Sequence, residues 1–124
     1  MAFVILVVED NEMNRELLIR RLQKRGYEVL AAANGKDALD IASREAPDVI
    51  LMDMCMPIMD GWTTVRQLKA IPKTQNIPVI GVSANGLHRD REEAMAAGCV
   101  AFEVKPIDFN RLLSLIQDFG KKAS

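Results

Sequence analysis

A chain of 124 residues has the size of a single domain with a real core and leaves no room for a second. Apolar residues at 49% and charged residues at 27% exclude a disordered chain, and a formal net charge of -1 without a basic stripe excludes a nucleic-acid-binding module. Two lone cysteines, Cys55 and Cys99, have neither CxxC nor Cys/His spacing, so no zinc site or disulfide framework is indicated and a reducing cytoplasm suits the chain.

The opening MAFVILVV has no positive leader and no small-residue cleavage site, and Glu9-Asp10 ends its apolar run well short of the roughly 20 residues a membrane span needs. It reads as a buried strand over 3–8, with no membrane association expected. Asn11 caps a first helix that turns Met13, Leu17, Leu18 and Leu22 to one side and stops at Gly26. A strand over 27–32 follows, then a helix over 36–45 with Ala38, Leu39 and Ala42 inward and Pro47 as its stop. The third strand, 49–52, leads through a Met-rich loop (Met52, Met54, Met56, Met59) to Asp60, which caps a helix burying Trp62, Val65 and Leu68. A strand over 78–82 precedes a fourth helix, 89–97, whose thin apolar stripe predicts the weakest packing. His88, the only histidine, falls in the exposed loop before it. The last strand, 100–104, feeds a helix capped by Asp108 with Phe109, Leu112, Leu113, Ile116 and Phe119 at helical spacing.

Most of the strand segments are continuous apolar runs, as expected of strands covered on both faces. Five strand–helix alternations with right-handed crossovers therefore predict a doubly wound three-layer (βα)5 sandwich. In such a sheet, groups at the carboxyl ends of neighbouring strands meet in one crevice. Glu9 and Asp10 after the first strand, Asp53 after the third and Lys105-Pro106 after the fifth are placed to do so. Three carboxylates and one ammonium would then share a small volume. Taken singly, each has a plainer reading. Glu9 and Asp10 also suit the positive end of a helix dipole, Asp53 a loop cap, Lys105 an ordinary strand end, Ser83 a turn, and Phe102 the core.

The segments VVEDN at 7–11, VILMDMCMPIMDG at 49–61, PVIGVSA at 78–84, and AGC with FEVKP between 97 and 106 resemble, in order and position, the receiver domain of two-component response regulators, of the single-domain, chemotaxis-regulator-like kind. The resemblance covers essentially the whole chain and implies a flavodoxin-like parallel sheet of strand order 2-1-3-4-5. It implies Asp53 as phosphoacceptor, receiving a phosphoryl group from a sensor histidine kinase or a histidine phosphotransfer protein. Mg²⁺, with Mn²⁺ as a substitute, would be held by Asp10, Asp53, the backbone carbonyl of Cys55 and, through water, Glu9. Lys105 would pair with Asp53 at rest and with phosphoryl oxygen afterwards, and Pro106 would follow a cis peptide. Ser83 and Phe102 would form the switch. Ser83 stands where Thr is commoner and Phe102 where Tyr is, which implies softer coupling to the face of helix four, strand five and helix five. The residues two places after Asp53 and Ser83, Cys55 and Asn85, would tune the lifetime of the phosphoryl group.

On this resemblance residues 1–124 form one receiver domain, with no output domain in the chain, acting as a cytoplasmic monomer or weak dimer on a downstream protein target. It would catalyse only its own phosphorylation and dephosphorylation. The chain is then either a free-standing regulator or a receiver from a hybrid histidine kinase, and a degenerate receiver that works only by binding is a further alternative. Two other classes fit less well. A haloacid-dehalogenase-type phosphatase needs a second Asp two residues after its nucleophile, where Cys55 stands, and a flavin or nucleotide binder needs a phosphate loop where Glu9 and Asp10 would repel phosphate.

Overall fold

The computed structural model describes residues 3–54, 56, 60–83 and 88–120, the side chains of 88–90 excepted. Its order is β1 (Val4–Val8), α1 (Glu12–Gln23), β2 (Glu28–Ala32), α2 (Gly35–Glu45), β3 (Val49–Asp53), α3 (Gly61–Ala70), β4 (Val79–Ser83), α4 (His88–Ala97), β5 (Ala101–Val104) and α5 (Phe109–Gly120). All strand pairs are parallel, in the order β2-β1-β3-β4-β5. The expected α/β sandwich and strand order are both present. Asp53 is the last residue of β3 and Ser83 the last of β4, one position inside the strands that apolar runs alone delimit. Ladder pairing of Asp53 with Val82 and of Ser83 with Val104 carries each strand past its apolar stretch.

Alternating strand residues feed two cores. Leu6, Val8, Ile50 and Met52 face α2, α3 and α4, whereas Ile5, Val7, Val49 and Leu51 face α1 and α5. Within α5, Leu112 and Ile116 are fully buried, each worth about 1.5–3 kcal/mol of transfer free energy. In α4 only Ala94 and Ala97 are buried among residues 91–97, so its contact with the sheet is made by small side chains, in line with the expected thin stripe. That helix begins at His88, which places this residue in the helix instead of the loop before it.

Side-chain caps fix the helix starts. Asn11 Oδ1 accepts from Asn14 N at 2.9 Å, Asp60 Oδ1 from Thr63 N at 2.7 Å, and Asp108 Oδ1 from Arg111 N at 3.2 Å. These caps agree with the sequence reading, as do the buried Met52, Met54 and Met56. Met59 lies outside the described residues. The first helix departs from expectation: Met13 is 79% and Leu17 58% exposed, and only Leu22 of its apolar set is fully buried. At 100° per residue, Leu18, Ile19 and Leu22 face the sheet, and the i, i+4 pair Met13 and Leu17 is rotated out of that stripe. Trp62 is likewise only partly buried, at the border of its cluster.

Candidate functional site

Because β1 and β3 are neighbours whose onward connections diverge, to β2 on one side and to β4 on the other, their carboxyl ends flank an open crevice. Glu9 follows β1 directly, and its backbone N–H donates to Ala32 O at 3.1 Å, which extends the ladder by one residue. Asp10 then leaves the sheet and is exposed at the start of α1, while Glu9 and Asp53 are buried. One carboxylate oxygen from each of Glu9, Asp10 and Asp53 lies within 4.8 Å of the other two. The fifth strand supplies the cation. Lys105 N donates to Ser83 O at 2.8 Å, which pins the lysine backbone against the end of β4, and a cis peptide joins Lys105 to Pro106.

The Lys105 ammonium is shared between two carboxylates. Its Nζ lies 2.8 Å from Glu9 Oε1, as a hydrogen bond, and 3.6 Å from Asp53 Oδ2. The sequence reading pairs this lysine with Asp53 alone; in the folded chain Glu9 is the nearer partner, because β1 lies between β2 and β3 and turns Glu9 into the same crevice. Burial pushes the Glu9 carboxyl up, but hydrogen bonds from the Lys105 ammonium and the Asn11 N–H, with the charge of Lys105, outweigh it and hold Glu9 below its ordinary range. Burial likewise works against the charged Lys105, and the hydrogen bond to Glu9 with the charge of Asp53 more than offsets it, so the ammonium is held above its ordinary value. Glu9 and Lys105 therefore stabilise each other in the charged form.

Ser83 is buried at the edge of this crevice, and Phe102 is only 3% exposed, packed inward with the cluster under α3 and α4. Cys55 and Asn85, expected as a carbonyl ligand and a lifetime residue, lie outside the described residues. Cys99 packs in the same cluster as Phe102, away from the crevice. Two residues that support the site carry no sequence signal of their own. Arg15 Nη1 donates to the Glu9 carbonyl at 2.8 Å, tying the acidic turn to the first turn of α1. Gly61 N donates to Met54 O at 3.2 Å, closing the β3–α3 loop at its base. For Arg15 the available clue is its place four residues after the Asn11 cap; for Gly61 it is the Asp-Gly pair, which reads only as a helix start.

The donor set suits a hard divalent cation: carboxylate oxygens from two adjoining strand ends, with no nitrogen or sulfur ligand among the described residues of the cluster. Beside it a groove of about 540 Å³ runs between α1 and the β5–α5 connection, with Leu17, Leu18, Ile107 and Phe109 on its walls and Glu9 and Lys105 at one end. None of the described helices is long and apolar enough to cross a membrane.

A five-stranded doubly wound sheet whose switch-point crevice gathers acidic groups against one lysine defines a flavodoxin-like α/β protein with a carboxylate-rich crevice at its strand ends. The chain belongs to the response regulator receiver domain family, whose profile matches residues 5–117. It is 44% identical over 119 residues to the response regulator PleD of Caulobacter vibrioides, covering 93% of this chain but only 26% of that protein. It is 36% identical over 115 residues to the polar-differentiation response regulator DivK of Brucella anthropi, covering 93% and 94% of the two chains. Among solved structures, the receiver domain of the sensor histidine kinase PA1611 of Pseudomonas aeruginosa PAO1, with a magnesium ion coordinated in its active site cleft, superposes with a TM-score of 0.90 at 33% identity, covering 98% and 99% of the chains. The chemotaxis protein CheY4 of Vibrio cholerae gives 0.90 at 29% identity, covering 96% and 99%.

Proposed function

We propose that this receiver domain takes a phosphoryl group onto the Asp53 carboxylate from a phosphohistidine, borne by a sensor histidine kinase or a histidine phosphotransfer protein in the cytoplasm. The observation that carries the reading is the meeting of Glu9, Asp10 and Asp53 within 4.8 Å, with Lys105 against two of them. A carboxylate oxygen of Asp53 would form the O–P bond as the N–P bond of the donor breaks, and the electron pair would leave on the imidazole nitrogen. Asp10 and Asp53 would hold Mg²⁺, or Mn²⁺, directly, with Glu9 binding through a water; the magnesium in the PA1611 receiver supports this assignment. When bound, the cation supplies the positive charge that lets two anions approach.

Lys105 begins the reaction bridging Glu9 and Asp53, so transfer would let its ammonium exchange a carboxylate partner for a phosphoryl oxygen without leaving the crevice. Ser83, at the end of the adjoining strand, would hydrogen-bond a second phosphoryl oxygen. Phe102 is packed inward in this conformation, so the switch reading requires an outward conformer in equilibrium with it, and phosphorylation would shift that population. The face formed by α4, β5 and α5 would report the change to a protein target. Met13, Leu17 and the groove beside Glu9 and Lys105 form the apolar surface a histidine donor would meet first. The domain would turn over no substrate beyond its own phosphoryl group.

The likeness to the PA1611 receiver favours a second setting for the same chemistry, in which this domain receives its group as part of a hybrid histidine kinase. The chemistry itself is tested by intact-protein mass after incubation with acetyl phosphate, with and without Mg²⁺. A single phosphoryl gain that requires Mg²⁺, vanishes in Asp53→Asn and falls steeply in Lys105→Ala is expected. A gain that persists in Asp53→Asn moves the acceptor elsewhere, and normal phosphorylation and switching in Lys105→Ala removes that lysine from the mechanism.

A further inference from the structure

The first residue of α3 stands closer to the acceptor strand than any side chain would allow. A Cβ built on Gly61 would lie 2.5 Å from Met54 Cα and 2.7 Å from the Asp53 carbonyl oxygen. Both are backbone atoms, so no rotamer change relieves the overlap. Reaching an ordinary contact of 3.4 Å would require α3 and the end of β3 to part by about 0.9 Å. The backbone of Gly61 needs no left-handed conformation, so space alone demands glycine here. Its N–H also donates to Met54 O at 3.2 Å. Helix α3 is thus latched by one residue onto Met54, with its hydrogen bond on the Met54 carbonyl and its steric contact on the peptide unit that joins Asp53 to Met54.

That peptide unit matters for the crevice. Met54 separates Asp53, which supplies a carboxylate to the acidic cluster, from Cys55, the residue expected to add its carbonyl. We infer that Gly61 is a positioning residue for the cation: by allowing backbone-to-backbone contact, it fixes the Asp53–Met54 unit in the placement the ligand oxygens need. The inference rests on the proposed metal site and deepens it. Supporting groups that orient ligands typically change metal affinity by about 10- to 100-fold when altered.

Gly81 provides the internal contrast. A Cβ on Gly81 would meet Met54 through its side chain alone, at 3.2 Å from Sδ and 3.3 Å from Cγ, with Cys99 Sγ at 3.3 Å. These are side-chain atoms that give by a few tenths of an ångström and leave the backbone of β3 in place. Both glycines therefore press on Met54, Gly61 on its backbone and Sδ, at 2.9 Å, and Gly81 on the side chain alone.

Mg²⁺ titration by calorimetry of the native chain, Gly61→Ala and Gly81→Ala, with urea unfolding of each, tests the inference. Both alanine variants should lose stability, whereas only Gly61→Ala should lose Mg²⁺ affinity, by about 10-fold or more. A smaller loss in Gly61→Ala overturns the inference, as does an equal loss in Gly81→Ala. If the native chain binds no Mg²⁺, the metal reading itself fails and the inference with it. Should Gly61→Ala not fold, amide exchange in the native chain decides. Mg²⁺ should slow exchange of the Gly61 N–H about 10-fold more than that of the Tyr27 N–H, which is bonded to Leu22 O far from the crevice. Equal slowing at the two amides overturns it.

Discussion

Replacing Asp53 with Asn removes a buried carboxylate that pairs with Lys105, and truncating one partner of a buried ion pair ordinarily costs about 3–5 kcal/mol. A much smaller cost is expected here. Glu9 and Asp53 both face Lys105 with carboxylate oxygens no more than 4.8 Å apart. At an effective dielectric of about 20, two like charges at that separation or closer repel by about 3.5 kcal/mol or more. The attraction between Asp53 and Lys105 at 3.6 Å is worth about 4.6 kcal/mol on the same basis. Asp10 is exposed and acts through water, adding about 0.9 kcal/mol or more of repulsion. The opposing contributions nearly cancel, and Lys105 keeps its shorter bond to Glu9. Without Mg²⁺, Asp53→Asn should therefore unfold in urea within about 1 kcal/mol of the native chain. With Mg²⁺ at a hundred times its dissociation constant the native chain should gain about 2.7 kcal/mol, and the variant, short of a ligand, far less. A loss above about 3 kcal/mol in Mg²⁺-free urea, or an undiminished Mg²⁺ gain in the variant, would refute the charge balance drawn from these distances.

Stability of the Mg²⁺-free chain should also depend on pH through the Glu9–Lys105 pair. Glu9 is held below its ordinary 4.5, so its contribution is present above that value and is lost as pH falls through its depressed folded value. Lys105 is held above its ordinary 10.5, so its contribution is complete below that value and is lost as pH rises through its raised folded value. Urea midpoints measured across both limbs should therefore flatten on the acid side in Glu9→Gln and on the alkaline side in Lys105→Met; unchanged limbs would remove the pair from the pH response. Burial pushes the Cys99 thiol up to about 12, against a smaller opposing pull from Lys69. Iodoacetamide at neutral pH should accordingly label Cys99 only as fast as the domain unfolds, which peptide mass spectrometry can follow, and labelling at the rate of a free thiol in the folded chain would contradict the packing around it.

The apolar runs ending at Glu9-Asp10, Asp53 and Lys105 carry most of the fold and the placement of the site. In a sheet covered on both faces, the central strands are continuous apolar runs, and the first polar group after each run marks the strand's end. Parallel crossovers then bring those ends to one side of the sheet, and Asp53, the acidic pair and the lysine are legible together for that reason. Helix caps are equally local, because Asn11, Asp60 and Asp108 each bond a backbone N–H three residues ahead.

Contacts between segments distant in the chain were settled only by tertiary structure. The preference of Lys105 for Glu9 depends on how β1 turns its end toward β5 across β3 and β4, a relation between residues 96 positions apart. The exposure of Met13 and Leu17 follows from the rotation of α1 on the sheet, which the packing of Leu18, Ile19 and Leu22 decides and an apolar count in one helix cannot. Gly61 reads in sequence as part of a helix start. Its closeness to Met54 and Asp53 exists only once α3 is docked, because steric exclusion is a property of two backbones brought together by the whole fold.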